Sequence, residues 1–171
     1  MKFIHLPKPN LMKTRLIFLL LLIVSFSCGM NNKPVSDAQK EKIKGEVKDA
    51  VKSLYKACEE VNEEMVMQHF LDSPDFITIY NGTISNYKEY MDGVRLNYNN
   101  LINQKCTELG YEKYVILDNS TVIYTCKSKW ITNLKDGHSI SFDSGVSQFT
   151  FRKIKNNWKI INEIEFLGKQ Q

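Results

Sequence analysis

One stretch near the C-terminal end decides the fold: FTFRKIKNNWKIIN, residues 149–162. Apolar and polar residues alternate on both sides of Asn156-Asn157, a pair that tolerates the positive φ angles of a two-residue turn. The same combination recurs at Asp118-Asn119 and at Asp136-Gly137. The three turns delimit four strands of an antiparallel sheet, near residues 105–117, 120–134, 139–154 and 158–167.

The three turns also fix which residues face each other across the sheet, because a two-residue turn sets the register of its hairpin. The predicted cross-strand pairs are Val122 with Phe151, Tyr124 with Phe149, Cys126 with Ser147, Trp130 with Asp143, Tyr111 with Cys126, Val115 with Val122, and Asn162 with Phe151. Opposed residues share a face. One face therefore collects Leu109, Tyr111, Val115, Val122, Tyr124, Phe149, Phe151, Ile160 and Ile164.

Helical patterns precede the sheet. Ser36-Asp-Ala-Gln39 has the spacing of a capping box, and it opens a run with one apolar stripe at spacings of three and four: Ile43, Val47, Val51, Leu54, Cys58 and Val61. The lysines and glutamates on the opposite side favour a solvated face, with a membrane-surface helix as the alternative. Asn62-Glu-Glu opens a second helix, residues 76–80 form a strand, and Ser85 caps a third helix.

The first 28 residues have the pattern of an export signal. Lys13 and Arg15 precede the apolar run 16–24, and Ser25 and Ser27 are the small residues before a cleavage site. The apolar run is about half the roughly 20 residues that a transmembrane helix needs. A compact signal would begin at Met12 rather than at Met1.

Cys28 follows these small residues as the cysteine follows them in a bacterial lipobox, except that Ser25 stands where Leu is usual. The pattern predicts a signal peptide over 1–27, a lipid anchor on Cys28 with a polar tether over 28–35, a domain over 36–168 and a tail over 169–171. The predicted location is the bacterial cell envelope, with the membrane as a partner through the anchor. The alternative is a plain signal peptide and a secreted or periplasmic protein.

Charge excludes one class of partner. The net charge of +4 comes from four basic residues in 1–27, which contain no acid, so that residues 28–171 hold 19 basic and 19 acidic side chains. No basic face for nucleic acid is predicted. Cys58, Cys106 and Cys126 are too few for a disulfide scaffold. His69 and His138 have no partner at metal-ligand spacing, so neither a metal nor a cofactor is predicted.

The order of elements resembles the nuclear transport factor 2-like superfamily, which includes SnoaL-like proteins and ketosteroid isomerase. Two stretches carry the resemblance: residues 62–80 after the long helix, and the strand, polar turn and Trp158-Lys-Ile ending at 149–162. The resemblance implies an α+β fold in which a cone-shaped, curved antiparallel sheet wraps around N-terminal helices and leaves a pocket. Many SnoaL-like proteins have a His and a Ser where this chain has Ile164 and Phe166, so chemistry based on that His is not expected.

Candidate site residues follow from the predicted inner face and from two elements that approach it. The predicted pocket-lining residues are Tyr55, Tyr80, Tyr111, Tyr124, Cys126, Trp130, Ser147 and Asn162. Aromatic walls with a few polar groups are typical of small-molecule pockets, although each residue taken singly also fits a filled core. Asp75 and Asp143 are the candidate acid or base residues, and both also fit ordinary turn or edge positions.

Three functions are consistent with this pattern. The first is a lipid-anchored pocket domain that binds a small or apolar ligand without catalysis. The second is an isomerase- or dehydratase-type enzyme that uses an Asp and a Tyr in the pocket. The third is an interaction module that forms a homodimer through the outer sheet face. A fold of this kind hosts many activities, so the residues of the pocket must decide between them.

Overall fold

The computed structural model describes residues 34–168, except for the side chains of residues 143 and 144. Within these residues lie three helices, α1 (Asp37–Glu59), α2 (Glu63–Met67) and α3 (Tyr87–Tyr98). The strands are β1 (Ile77–Tyr80), β2 (Thr83–Ser85), β3 (Leu101–Ile116), β4 (Thr121–Leu134), β5 (Ser139–Ile154) and β6 (Asn157–Phe166). They form one sheet in the order β2-β1-β6-β5-β4-β3, antiparallel except for the parallel pair β1–β6. The predicted α+β class, with a curved sheet around N-terminal helices, is confirmed.

The Ser36 half of the capping box predicted at the start of α1 is present. The Ser36 hydroxyl accepts a hydrogen bond from the Gln39 backbone N–H at 3.3 Å, a cap that contributes about 1 kcal/mol. The apolar stripe of α1 lies in the core, with Val47 and Val51 fully buried. This helix therefore packs against the sheet and presents its charged side to solvent. Across residues 34–168, no helix is both long and apolar enough to span a bilayer.

The two shorter helices differ from the prediction in small ways. Asn62 caps α2, because its side-chain oxygen accepts a hydrogen bond from the Met65 backbone N–H. Helix α3 is capped by Asn86 rather than by Ser85, with Glu89 completing a capping box. The turn at Asn81-Gly82, where both residues have positive φ, continues into the short strand β2, which the sequence pattern did not indicate.

The hairpin β4–β5 has the predicted register. Val122 pairs with Phe151, Tyr124 with Phe149, and Cys126 with Ser147. Tyr124 and Phe151 are fully buried there, so this hairpin contributes its inner face to the hydrophobic core. A bulge after Ser128 then shifts the pairing, so that Trp130 lies opposite Phe142 and not opposite Asp143 as predicted.

The predicted register of β3–β4 is wrong by one residue. The Asp118 carboxylate accepts hydrogen bonds from the backbone N–H and the hydroxyl of Ser120, and the loop holds three residues instead of two. Ile116 therefore pairs with Val122. Because the side-chain period of a strand is two, this slip moves Val115 and Tyr111 to the outer face. An irregularity between Leu109 and Glu112 then shifts the pairing again, so that Leu109 lies opposite Ser128.

Strand β6 changes face partway along its length. The turn before it lies at Lys155-Asn156, and Phe151 pairs with Ile160. Trp158 and Ile160 are buried on the predicted face. A bulge at Ile161 then makes Thr150 pair with Asn162. From this point the odd-numbered residues, Glu163 and Glu165, point to the inner side of the sheet.

Candidate functional site

A cavity of about 430 Å³ lies between the helices and the inner face of the sheet. Its lining residues come from all three helices and all six strands. The exposed lining residues Tyr80, Thr83, Glu89 and Asn97 mark its mouth. A volume of this size is typical of sites for small molecules and cofactors.

Aromatic side chains form much of the cavity wall. They are Tyr55, Phe70, Tyr80, Tyr90, Tyr98, Trp130, Phe142 and Phe149. The rings of Tyr55 and Trp130 pack edge to face with their centroids 5.2 Å apart. The Tyr98 hydroxyl is held by the side-chain amide of Gln104 at 3.2 Å. These contacts fix the ring positions before any ligand enters.

Two carboxyl groups of β6 lie at the inner side of the cavity. Glu163 is only 4 % exposed, and its Oε2 has no hydrogen-bond partner. Its neighbour on β1, Thr78, is 1 % exposed, and the Thr78 hydroxyl oxygen also lacks a partner. Glu165 accepts a hydrogen bond from the Ser147 hydroxyl at 3.0 Å. Unpartnered buried polar atoms cost about 1–3 kcal/mol each, so this group is costly to keep for stability alone.

Burial raises the pKa of both carboxyls. Burial, followed by the charge of Glu165, raises the pKa of Glu163 to about 8, and the Tyr90 hydroxyl partly offsets this effect. Burial also raises the pKa of Glu165, and the hydrogen bond from Ser147 partly offsets it. With a pKa near 8, the Glu163 carboxyl is mostly protonated at pH 7. Burial likewise raises the pKa of Tyr90.

The described side chains that line the cavity include Glu89, Glu163 and Glu165 but no Lys, Arg or His. Within residues 34–168, no group of three or more His, Cys, Asp or Glu side chains could hold a metal ion. The cavity thus combines aromatic walls with acidic groups that have no basic partner inside it.

Four of the residues predicted to line a pocket do line this cavity: Tyr55, Tyr80, Trp130 and Ser147. Tyr124 and Cys126 do not. Both are fully buried in the core behind the cavity wall, where the Tyr124 hydroxyl donates to Glu112 at 2.9 Å and the Cys126 sulfur lies 3.2 Å from the Tyr55 hydroxyl. Both residues lie on the predicted inner face of the sheet, but other side chains separate them from the cavity.

Three further site predictions fail. Tyr111 is 55 % exposed, because the β3–β4 slip moves it to the outer face. Asn162 also lies on the outer face, because the β6 bulge reverses the alternation, and its amide donates to the Ile77 carbonyl at 2.9 Å. Asp75 is exposed in the turn before β1, away from the cavity. The side chain of Asp143 and the whole of Cys28 lie outside the described residues.

The sequence interpretation missed Glu163, Glu165, Thr78 and Tyr90. One signal was present: the adjacent isoleucines Ile160-Ile161 interrupt the alternation of β6, as a bulge does. Placing the bulge there would have directed the two glutamates inward. Ordinary apolar patterning argues against that choice, because it places Ile164 in solvent and two acids in the core.

The sequence matches no family model, and it matches no curated protein. Solved structures with the same fold are numerous. They include a scytalone-dehydratase-like protein from Novosphingobium aromaticivorans, with 9 % identity and a TM-score of 0.69 over 80 % of this chain and 91 % of that one. A hexachlorocyclohexane dehydrochlorinase from Novosphingobium barchaimii has 12 % identity and a TM-score of 0.65, over 80 % and 93 %.

A nuclear transport factor 2-like superfamily protein from Salmonella enterica serovar Typhimurium has 11 % identity and a TM-score of 0.67, over 76 % of this chain and 94 % of that one. Together with the curved sheet, the helices and the cavity, these likenesses establish the nuclear transport factor 2-like cone fold. Sequence identities this low support a shared fold and give no evidence of a shared activity.

Proposed function

We propose that this protein binds a small, mostly aromatic or aliphatic molecule in the cone cavity, without chemical conversion. The observation that carries the proposal is the pair of unpartnered buried atoms, Glu163 Oε2 and Thr78 Oγ1, at the wall of a preformed aromatic cavity. A ligand with a complementary polar group satisfies both atoms, while its apolar body packs against the rings.

We further propose that the domain acts in the bacterial cell envelope, anchored by lipid on Cys28. The support is the sequence alone: the basic residues Lys13 and Arg15, the apolar run 16–24 and the small residues before Cys28. Acyl chains contribute about 0.8 kcal/mol for each buried CH₂ group, so two chains suffice for stable attachment. The alternative of a secreted or periplasmic protein would follow from plain cleavage without acylation.

The chain offers a matched pair of variants to test ligand binding. Gly93 of α3 lines the cavity and Gly45 of α1 is exposed, and a Cβ atom at either position meets nothing within 4 Å. Both Gly→Leu changes favour the helix by close to 1 kcal/mol. Only Gly93→Leu places a side chain at the cavity.

Native mass spectrometry of protein purified without denaturation should detect a bound small molecule in the wild type and in Gly45→Leu, and lose it in Gly93→Leu. A ligand that persists in Gly93→Leu would show that it binds outside the cavity. A cavity that is empty in every preparation and that also takes up no probe molecule would contradict the proposed function.

A second function, acid–base catalysis, is favoured by one observation. Glu163, with a pKa raised to about 8, is buried and interacts with the Tyr90 hydroxyl. A carboxyl with a pKa near the working pH suits proton transfer. Because two similar structures are named as a dehydrochlorinase and a scytalone-dehydratase-like protein, an elimination is the reaction to test first. Turnover that is lost in Glu163→Gln while binding persists would favour this alternative.

A further inference from the structure

We propose that the ligand of the cone cavity is an organic cation, specifically a protonated primary or secondary amine on an aromatic or aliphatic body. This inference rests on the proposed function, because it names the chemical class of the molecule that the cavity binds. It depends on the charge of the wall, on the two unpartnered atoms and on the aromatic faces.

The charge of the wall selects against anions. Glu89, Glu163 and Glu165 are the charged residues among the described side chains that line the cavity, and no basic side chain lies among them. An anionic ligand would enter beside these carboxyls with no opposite charge to receive it. A cation supplies the partner that the carboxyls lack.

The unpartnered atoms can both accept hydrogen bonds once the Glu163 carboxyl has lost its proton. Glu163 Oε2 and Thr78 Oγ1 belong to residues that pair across β6 and β1 and that both line the cavity. An ammonium group carries up to three N–H donors and no acceptor. One such group can donate to the carboxylate and to the hydroxyl oxygen together. A charge-assisted hydrogen bond to Glu163 is roughly twice as strong as a neutral one.

The rings provide the second half of a cation site. Tyr90 interacts with the Glu163 carboxyl, while Tyr55, Trp130 and Phe149 line the same cavity. A cation over the face of a Trp, Tyr or Phe ring gains attraction that grows when water is excluded. Aromatic walls around a carboxylate therefore favour an alkylammonium group over a neutral group of the same size.

Proton linkage distinguishes a cation from a neutral ligand. The titratable groups that face Glu163 are Glu165 on β6, Tyr90 on α3, Cys58 on α1 and Tyr80 on β1. Burial raises the pKa of Cys58 and of Tyr80 to about 12 each and also raises the pKa of Tyr90, so these three groups stay neutral below pH 9. Burial raises the pKa of Glu163 to about 8 and also raises that of Glu165. A cation favours the ionised form of Glu163, and its binding must strengthen as pH rises through this range.

Three probes that share a 2-phenylethyl group and differ in its polar end test the inference: 2-phenylethylammonium, 2-phenylethanol and 3-phenylpropionate. Their binding to the purified protein is measured by NMR titration of backbone amides at Ser147, Phe149 and Glu163. We expect the ammonium to bind at least ten-fold more tightly than the alcohol at pH 8.5, and the carboxylate to bind most weakly. Between pH 5.5 and 8.5 the ammonium should gain about ten-fold in affinity, and the alcohol should gain nothing.

Two variants assign the effect to the cavity. Glu163→Gln should remove the advantage of the ammonium, whereas Glu41→Gln, which makes the same charge change on the exposed side of α1, should keep it. The inference is overturned if the alcohol or the carboxylate binds as tightly as the ammonium, if ammonium binding weakens with rising pH, or if a co-purified ligand is neutral or anionic. In those cases the cavity still binds a ligand. Failure of all three probes together with an empty cavity overturns the proposed function itself.

Discussion

Replacing Glu163 by Gln should stabilise the empty protein at alkaline pH and leave it nearly unchanged at acidic pH. Gln keeps the size of the side chain and resembles the protonated carboxyl, but it cannot ionise. Because the pKa of Glu163 is raised in the folded protein, the folded state binds more protons than the unfolded state between the ordinary carboxyl pKa of 4.5 and about 8. Wild-type stability must therefore fall as pH rises through this window and level off above it.

The size of the effect follows from the same values. A rise in pKa from 4.5 to about 8 corresponds to about 5 kcal/mol, at roughly 1.4 kcal/mol for each pH unit. Solvent at the exposed mouth of the cavity, where Tyr80 lies, reduces the cost of the charge, so we expect the variant to gain about 2–3 kcal/mol at pH 8.5. For a domain of this length the melting temperature should rise by about 6–10 °C.

The assay is urea unfolding of ligand-free protein at pH 5, 7 and 8.5, after any ligand has been removed by unfolding and refolding. Glu41→Gln is the matched control, since Glu41 is exposed and outside the cavity. Its stability should track that of the wild type at each pH. The reasoning is refuted if wild-type stability rises between pH 5 and 8.5, or if the Glu163→Gln curve runs parallel to it with no gain at pH 8.5.

Three further changes test other parts of the structure. Trp158→Ala should cost about 3–5 kcal/mol in urea unfolding, because it empties a buried site and removes the indole N–H donated to Glu46 at 2.9 Å; a loss below 1 kcal/mol would contradict its place in the core. Asn162→Ala should cost about 1 kcal/mol, from the lost hydrogen bond to the Ile77 carbonyl, and leave probe affinity unchanged; altered affinity would place Asn162 at the cavity after all. Cys28→Ser should move the protein from the membrane fraction to the soluble fraction; unchanged partitioning would rule out the lipid anchor.

Sequence patterns predicted the elements whose determinants are local. Residues a few positions apart determine the hydrogen bond from Gln39 to Ser36 and the buried stripe of α1. The short turn between β4 and β5 determines the register of that hairpin. The loop at Asp118 shows where local chemistry is ambiguous. Asp-Asn-Ser suits a two-residue or a three-residue loop, and the hydrogen bonds from Ser120 to the Asp118 carboxylate select the longer one. The faces of residues 112–116 of β3, between this loop and the first irregularity of the pairing, depend on that choice.

The site itself depends on one bulge that sequence patterning disfavours. Without the bulge at Ile161, Asn162 and Ile164 would face the core and both glutamates would face solvent, which is the arrangement that burial alone prefers. With it, β6 keeps Trp158 and Ile160 inside and then directs Glu163 and Glu165 into an aromatic cavity. Apolar burial alone does not favour this arrangement, because it places two acidic side chains inside. Conflicts between the sequence pattern of an element and its observed structure are expected at sites where a protein binds or reacts. The conflict between the pattern of β6 and its observed face is therefore itself an argument that Glu163 and Glu165 serve a ligand.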